Sequence, residues 1–528
     1  MVNNRATYKS YEPYLSKGLP IVVFLVGLWY FCFRILGFGL EFVPGDMGDS
    51  RFINYLLEHG YQWSIGNKSE FWNAGFMFPY ADSIAFSDNM LGTMPFYGFW
   101  RIFGISQETS YQLWWVIICS LNYWSAYYVL KRWFNRWDLA IIGAWIFAFT
   151  IFNLGQLNYM QMMIRFMVPI VIYSGIRLVD TSHCKYFAVF ALGIVYQFYG
   201  VIYTGFFLMY FGAFLIIVYA IIKKKYWFFV PLFKKRQILF TGITVLVSVL
   251  LLAWLMLPYY EMSQEMGLRS YEEVKWYVPV IMSYFYAHES AFAWSVLSEN
   301  CRPDVAIWWI QYTFPGMIPL LGLFTIPFLW LYWKIRRIQI SPMTWALSIA
   351  AFVVFVFFIR SYDAKTMYAF MFKLPGMSSM RVLNRYMHVE IFLIVALLVS
   401  LFTRLPKKWS ALFLLLVILD NSFSTDNLIR TSKEEITKRR EIAIAQVKNR
   451  LKPEHEAYAI LSDDDPFFVT QIDGMTVSNY VKLPTVNGYS SGCPVGFGHF
   501  FEKTNEEGLR IWLETNQLDS SKVLIIQR

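Results

Sequence analysis

Apolar runs alternate with short polar connections along most of this chain, and many are 17 to 25 residues long, the length an α-helix needs to cross a bilayer. The first covers residues 18–40. Others cover about 110–130, 139–157, 160–176, 186–200, 203–222 and 239–257. A further run ends at Lys334, one covers about 344–358, one ends at Arg404, and a short one covers 409–420. The pattern predicts about eleven transmembrane helices.

The connections between these runs differ in charge. Lys131, Arg132 and Arg136, then Arg177 and Lys185, then Lys223 to Lys225 with Lys234 to Arg236, then Lys334 to Arg337, and finally Arg404 to Lys408 occupy alternate connections. Three long loops at 41–107, 258–307 and 359–385 fall on the other side and hold many of the acidic residues. Lysine and arginine favour the cytoplasmic side, so the N-terminus, with Arg5, Lys9 and Lys17, is predicted inside and the three loops outside. In the first loop, residues 51–59 carry a broad apolar stripe (Phe52, Ile53, Tyr55, Leu56, Leu57) that predicts a short helix lying along the membrane surface. Residues 90–105 are apolar but broken by Gly92, Pro95, Gly98 and Arg101, which predicts a second interfacial or re-entrant helix.

From about residue 421 the chain turns polar. Thr431 or Ser432 can cap a charged helix reaching about Leu451. Residues 458–461, 467–472 and 522–527 read as strands and 505–515 as a helix. The expected fold class is therefore an all-α polytopic membrane protein over residues 1–420, with a small extracytoplasmic α/β domain over 421–528.

With 57% hydrophobic and only 16% charged residues, an ordinary soluble enzyme is excluded. The net charge of +10 does not imply nucleic acid, because the basic residues sit mostly in the inside connections. The first run is longer than a signal-peptide core and lacks a small-residue cleavage site, so it is expected to be retained. Five cysteines and six histidines show no metal-binding spacing, and Cys301 and Cys493 fall on the same side and can pair if they are close.

Within the predicted spans, Arg34, Arg165 and Asp420 are the clear ionisable residues. A transporter would keep such groups on broken helices near the midplane, with an internal repeat; neither feature is evident. Charge gathers instead in the outside loops. The first supplies Asp46, Asp49 and Asp88, the third supplies Arg381 and Arg385, which would share a face if helical, and the second supplies Arg269. Carboxylates suit a general base, and arginines suit phosphate oxygens. Asp49 or Ser50 can cap the helix that follows, which leaves Asp46 the freer base. Trp63, Trp72, Tyr80, Tyr259, Tyr260 and Tyr284 lie in or beside these loops and can form an interfacial belt or stack on a bound ring, whereas His59, His288 and His388 read as structural or surface residues.

Asp46 and Asp49 after the first run, Phe71-Trp72-Asn73 with Phe78-Pro79-Tyr80, Ser87-Asp88, Leu257-Pro258-Tyr259 with Gly267-Leu268-Arg269-Ser270, the stretch from Leu374-Pro375-Gly376 to Arg385, and Asn487-Gly488-Tyr489-Ser490 together resemble bacterial multi-pass glycosyltransferases of the GT-C superfamily, including YfhO-like proteins. Such relatives often carry a histidine before Gln161, where this chain has Asn158-Tyr159-Met160. The resemblance implies inverting transfer of a sugar from a polyprenyl-phosphate donor to a cell-envelope glycan, teichoic-acid or glycolipid acceptor, on the outer face of a bacterial cytoplasmic membrane. Asp46 or Asp49 would be the base, and Arg381, Arg385 and Arg269 would hold the donor phosphate. Asp88 would orient the acceptor or bind a divalent cation such as Mg or Mn, and Trp72, Tyr80 and Tyr259 would stack on the sugar. The alternatives are a lipid or polysaccharide export component and a non-enzymatic envelope assembly subunit.

Overall fold

The computed structural model describes residues 4–528, with side chains from Tyr14 onward; the side chains of Arg5 and Lys9 lie outside the described residues. All eleven apolar runs form helix. Taking helices of eight residues or more in chain order, α1 is Asn4–Gly27, α2 Asp49–Ser64, α3 Met94–Ile102, α4 Gln107–Phe134, α5 Trp137–Phe149, α6 Met167–Thr181, α7 Cys184–Gly200, α8 Ile202–Ile222, α9 Ile238–Met266, α10 Met317–Phe324, α11 Ile326–Ile335, α12 Pro342–Phe357, α13 Met387–Phe402, α14 Ser410–Asp420, α15 Lys433–Arg450, α16 Phe467–Ser478 and α17 Glu506–Thr515. Strands β1 (Phe42–Pro44) and β2 (Arg430–Ser432) pair antiparallel, and β3 (Ala457–Leu461) and β4 (Val523–Gln527) pair parallel.

Six helical stretches among the described residues are long and apolar enough to cross a membrane: Tyr14–Leu36, Trp137–Gln156, Met160–Thr181, Ile202–Ile222, Ile238–Met266 and Leu383–Phe402. The pair α10 and α11, bent by 48° at Thr325, makes a seventh if taken as one span. The other runs fall short of that measure for different reasons. α4 has the length, 28 residues, but is too polar, whereas α7, α12 and α14 have 17, 16 and 11 residues. The ends of α4 follow from its sequence: Ser106 accepts a hydrogen bond from the Thr109 amide at the start, Lys131 and Arg132 favour the negative end of the helix dipole, and Asn135 closes the helix at φ 52°.

Three expectations are corrected. Residues 51–59 do lie in a helix, α2, but almost every residue of it is buried, Arg51, Glu58 and His59 included, so protein covers it on all sides instead of leaving one apolar stripe free. The segment 467–472 is helical, because the parallel strands β3 and β4 need a crossover connection and α16 is part of it, with Pro466 at its N-cap. The ionisable residues within spans are not limited to Arg34, Arg165 and Asp420: α13 also buries His388 and Glu390. His388 Nδ1 lies 3.0 Å from Arg165, which also donates to Asn153 at 3.1 Å. The 90–105 stretch forms the nine-residue α3, roughly 14 Å long at 1.5 Å per residue and too short to cross.

The segment from residue 421 onward is built against the first outside loop. β2 lies beside β1 with Thr431 opposite Val43, the Gly45 amide donates to Ile429 at 2.9 Å, and Thr485 donates to Gly75 at 2.8 Å. Arg51 of α2 pairs with Asp473 of α16 at 2.5 Å, both side chains being almost fully buried. Arg440 of α15 pairs with Glu108 at the start of α4. Cys301 and Cys493 are both free thiols.

Candidate active site

The site begins at the turn that follows β1. Gly45 has φ +90°, and a Cβ there would lie 2.8 Å from the Leu157 carbonyl and 2.6 Å from Ser50 Cβ, so only glycine fits. The turn delivers Asp46 to Asn158. The Asp46 amide donates to Asn158 Oδ1 at 3.0 Å, and Asn158 Nδ2 donates back to Asp46 Oδ2 at 3.1 Å. Asp46 Oδ1 also accepts from the Gly48 amide at 2.9 Å. In this stretch, where the GT-C resemblance leads one to expect a histidine, the asparagine thus fixes the first carboxylate.

Asp49 is not the cap of α2. Gly48 holds the N-cap position without a side-chain cap bond, and Asp49 is the first helical residue. The ground for preferring Asp46 as the freer base is therefore removed, since Asp46 is the more heavily engaged of the two. Burial and the neighbouring Asp46 charge push the Asp49 carboxyl up to about 6, against Arg385, the Tyr489 hydroxyl and Arg381. Burial also raises Asp46, against the hydrogen bond from the Gly48 amide.

The arginines arrive on a loop, not a helix. Met377–Ser379 and Leu383–Tyr386 are 3-10 turns separated by extended Met380 and Val382, so Arg381 and Arg385 do not share a helical face. Tyr203, at the start of α8, organises both: its hydroxyl accepts from the Arg381 amide at 3.0 Å, and its ring lies 4.6 Å from the Arg385 guanidinium. Tyr159 flanks Arg385 at 5.0 Å, and Tyr277 lies 5.6 Å from Arg381. Aromatic faces stabilise a guanidinium, while Arg385 keeps a buried Nε without a protein partner.

Asp88 enters the same field. Its Oδ1 accepts from the Ile202 amide at 2.9 Å, at the N-terminus of α8. Burial raises its pKa, against the Ile202 bond, Arg385 and Gln161. Trp72 and Tyr259 meet edge to face at 5.6 Å, and the Tyr259 hydroxyl donates to the Ser87 carbonyl at 2.7 Å. The remaining two expected residues stand against the C-terminal segment: Tyr80 packs on Trp512 at 5.9 Å, and Arg269 binds Glu273 at 2.9 Å and the Ser491 carbonyl at 3.3 Å.

The structure thus brings Asp46, Asp49, Asp88, Arg381 and Arg385 into one electrostatic neighbourhood, and adds Asn158, Tyr159, Tyr203 and Tyr489. Tyr489 lay in a motif that carries the family resemblance; Tyr159 and Tyr203 sit at the ends of apolar runs, where their type is indistinguishable from an interfacial belt. Among the described residues, no group of three His, Cys, Asp or Glu side chains converges to hold a metal ion.

No family model matches the chain, and no curated protein matches it in sequence. Solved structures do. The oligosaccharyltransferase of Archaeoglobus fulgidus in its apo form superposes with a TM-score of 0.52 at 14% identity, over 96% of this chain and 69% of that one. The chain shares that fold. AglB from the same organism, in complex with an inhibitory peptide and a dolichol-phosphate, gives 0.50 at 12% identity, over 96% and 69%. The mycobacterial arabinofuranosyltransferase AftD gives 0.50 at 11%, over 88% and 31%. At these identities the likeness is one of fold, a fold that in this chain sets the 41–107 loop and the 359–385 loop against each other.

Proposed function

We propose that this GT-C chain is a membrane glycosyltransferase that moves a sugar from a polyprenyl-phosphate donor to a hydroxyl acceptor on the outer face. The observation that carries it is the pairing of Asp49, a buried carboxyl poised near 6, with the cationic loop of Arg381 and Arg385. The dolichol-phosphate in the AglB complex supports a lipid-phosphate donor.

In this reading Asp49 takes the proton of the acceptor hydroxyl as its oxygen attacks the anomeric carbon. The bond from that carbon to the phosphate oxygen breaks, and polyprenyl phosphate departs with the electron pair. A single displacement inverts the sugar. Arg381 and Arg385 neutralise the charge that grows on the departing phosphate. A base with its pKa just below neutrality is ionised at working pH and still accepts a proton with little penalty. Asp46, held by Asn158, is a positioning residue that also raises Asp49. Asp88 anchors the start of α8, and through it Tyr203 and both arginines; Trp72 and Tyr259 form the aromatic wall. Asp88 as an acceptor ligand, Arg269 as a phosphate ligand and Tyr80 as a stacking residue are less favoured, because each is engaged by the scaffold. The YfhO-like motifs favour a bacterial cytoplasmic membrane, eleven spans with the C-terminal segment outside, and an envelope glycan, teichoic acid or glycolipid as acceptor.

The test is sugar transfer from polyprenyl-phosphate donors in reconstituted membranes. Asp49→Asn should lose at least a thousandfold in turnover while still binding donor, and Asp46→Asn should lose less. Full activity in Asp49→Asn, or no turnover by the wild type with any donor, would sink the transferase reading.

A further inference from the structure

At the far ends of the helices that carry the aspartate site, where the lysine- and arginine-rich connections begin, lies a cavity of about 580 Å3. That is within the size range of small-molecule sites. Four inside-assigned ends meet there: Arg132 comes from the end of α4, Arg177 from the end of α6, Trp333 from α11, and Arg404 from just beyond α13. α4 has 28 residues and so separates this cavity from the aspartate side by roughly 40 Å at 1.5 Å per residue.

The charges in the cavity are not balanced. Three guanidinium groups line it against one carboxylate, Asp180. Asp180 is itself shared, standing 3.8 Å from Arg177 and accepting the Tyr219 hydroxyl at 2.9 Å. Arg132 is exposed and gives its Nε to the Tyr173 hydroxyl at 3.1 Å, while Arg177 holds a buried Nε with no protein acceptor. Helix dipoles explain a cation at each C-terminal end. They do not explain why three such ends turn their guanidinium groups onto one ligand-sized space. The rest of the wall mixes hydroxyl groups, among them Tyr219, Ser341, Ser400 and Thr403, with an apolar side made by Trp133, Ile340 and Met343, and Ile335 of α11 is exposed nearby. Forked cations over one space, with an apolar side at Trp133, Ile340 and Met343, match a phosphate group carrying a hydrocarbon tail.

We propose that this cavity binds a phosphate group, brought either as the head of an anionic membrane lipid or as free phosphate. The site is separate from the aspartate cluster and stands whether or not that cluster transfers sugar. Arg132, Arg177 and Arg404 fork onto the phosphate oxygens, and the Trp133 side of the cavity receives the first carbons of a lipid tail.

The experiment is thermal unfolding of the purified full-length protein in detergent, titrated with dioctanoyl-phosphatidylglycerol, dioctanoyl-phosphatidylcholine and inorganic phosphate. Binding to the folded state raises the midpoint saturably. Stabilisation by the phosphatidylglycerol alone identifies a lipid site, and equal stabilisation by inorganic phosphate identifies a free-phosphate site; both support the proposal. The double substitution Arg177→Gln/Arg404→Gln should raise the half-saturating concentration at least tenfold. Arg336→Gln, an exposed arginine on the same side outside the cavity, should leave it unchanged. Should the double variant unfold, the single exposed change Arg132→Gln carries the test with an expected rise of threefold or more. Equal stabilisation by the zwitterionic phosphatidylcholine, no response to either phosphate compound, or an unaltered response in the cavity variants overturns it.

Discussion

The Tyr489 hydroxyl stands beside the buried carboxyl of Asp49, and the two groups act on each other's ionisation. The hydroxyl dipole holds the carboxyl lower than burial alone would leave it. Tyr489→Phe should therefore raise the Asp49 pKa and move the acidic limb of the rate profile upward from about 6. Turnover at pH 6 falls several-fold and recovers by pH 8. An initial-rate series of kcat/KM against pH measures the limb directly, and an unmoved limb would separate Asp49 from the base.

Arg385 acts on the same carboxyl through its charge, and in the proposed mechanism it also holds the donor phosphate with its forked N–H groups. Losing a charge-assisted hydrogen bond costs roughly 1.5 to 3 kcal/mol, or about 10- to 100-fold. Arg385→Ala should raise the donor KM by that factor and also shift the acidic limb upward. Arg385→Lys keeps the charge but not the fork, so it should restore the limb while leaving the donor KM high. Steady-state kinetics with varied donor at several pH values distinguish the two effects.

Asp473 binds Arg51, Arg439 and Arg528 in the interior of the C-terminal segment. Burial works against its charge, yet the three arginines hold its pKa below the usual carboxylate value. Removing one partner of a buried ion pair costs about 3 to 5 kcal/mol. Asp473→Asn should destabilise the protein by that order in denaturant unfolding. A lowered folded-state pKa contributes stability that is complete above the unfolded value of about 3.9 and fades as pH falls through the folded one. The wild type should consequently lose this contribution only in strong acid, and the variant should show no such step.

Gly45→Ala places a methyl against the Leu157 carbonyl in a left-handed conformation. The backbone penalty alone is about 1 to 2 kcal/mol. The larger effect is on placement, because Asp46 and Asp49 follow directly, and displacement of about 1 Å can cost on the order of a hundredfold in rate. Turnover should fall at least tenfold with donor binding retained, as measured by separate binding and rate assays.

Helix positions and the complementary loop charges were legible because both follow from periodicity and side-chain type. The opposed loops needed no structure to suggest that Asp46 and Asp49 face Arg381 and Arg385. Burial on all sides was not legible. Residues 51–59 carry a polar face with Arg51, Glu58 and His59, and nothing local says that Asp473 or Arg101 will cover it. The alternation at 467–472 lost to the crossover that β3 and β4 impose. Tyr203 and Tyr159 had no distinguishing signal, since their role comes from cation contacts made across the fold.

The pairing of Val43 with Thr431 has a consequence for biogenesis. The turn bearing Asp46 emerges from the ribosome early and the strand that clamps it emerges late, followed by Tyr489. A chain still being inserted carries both aspartates but lacks their last partners. In the proposed mechanism, catalytic competence is thus deferred until the residues from 430 to 489 have been made, and a nascent chain that has already threaded its apolar helices would not yet consume the lipid carrier around it.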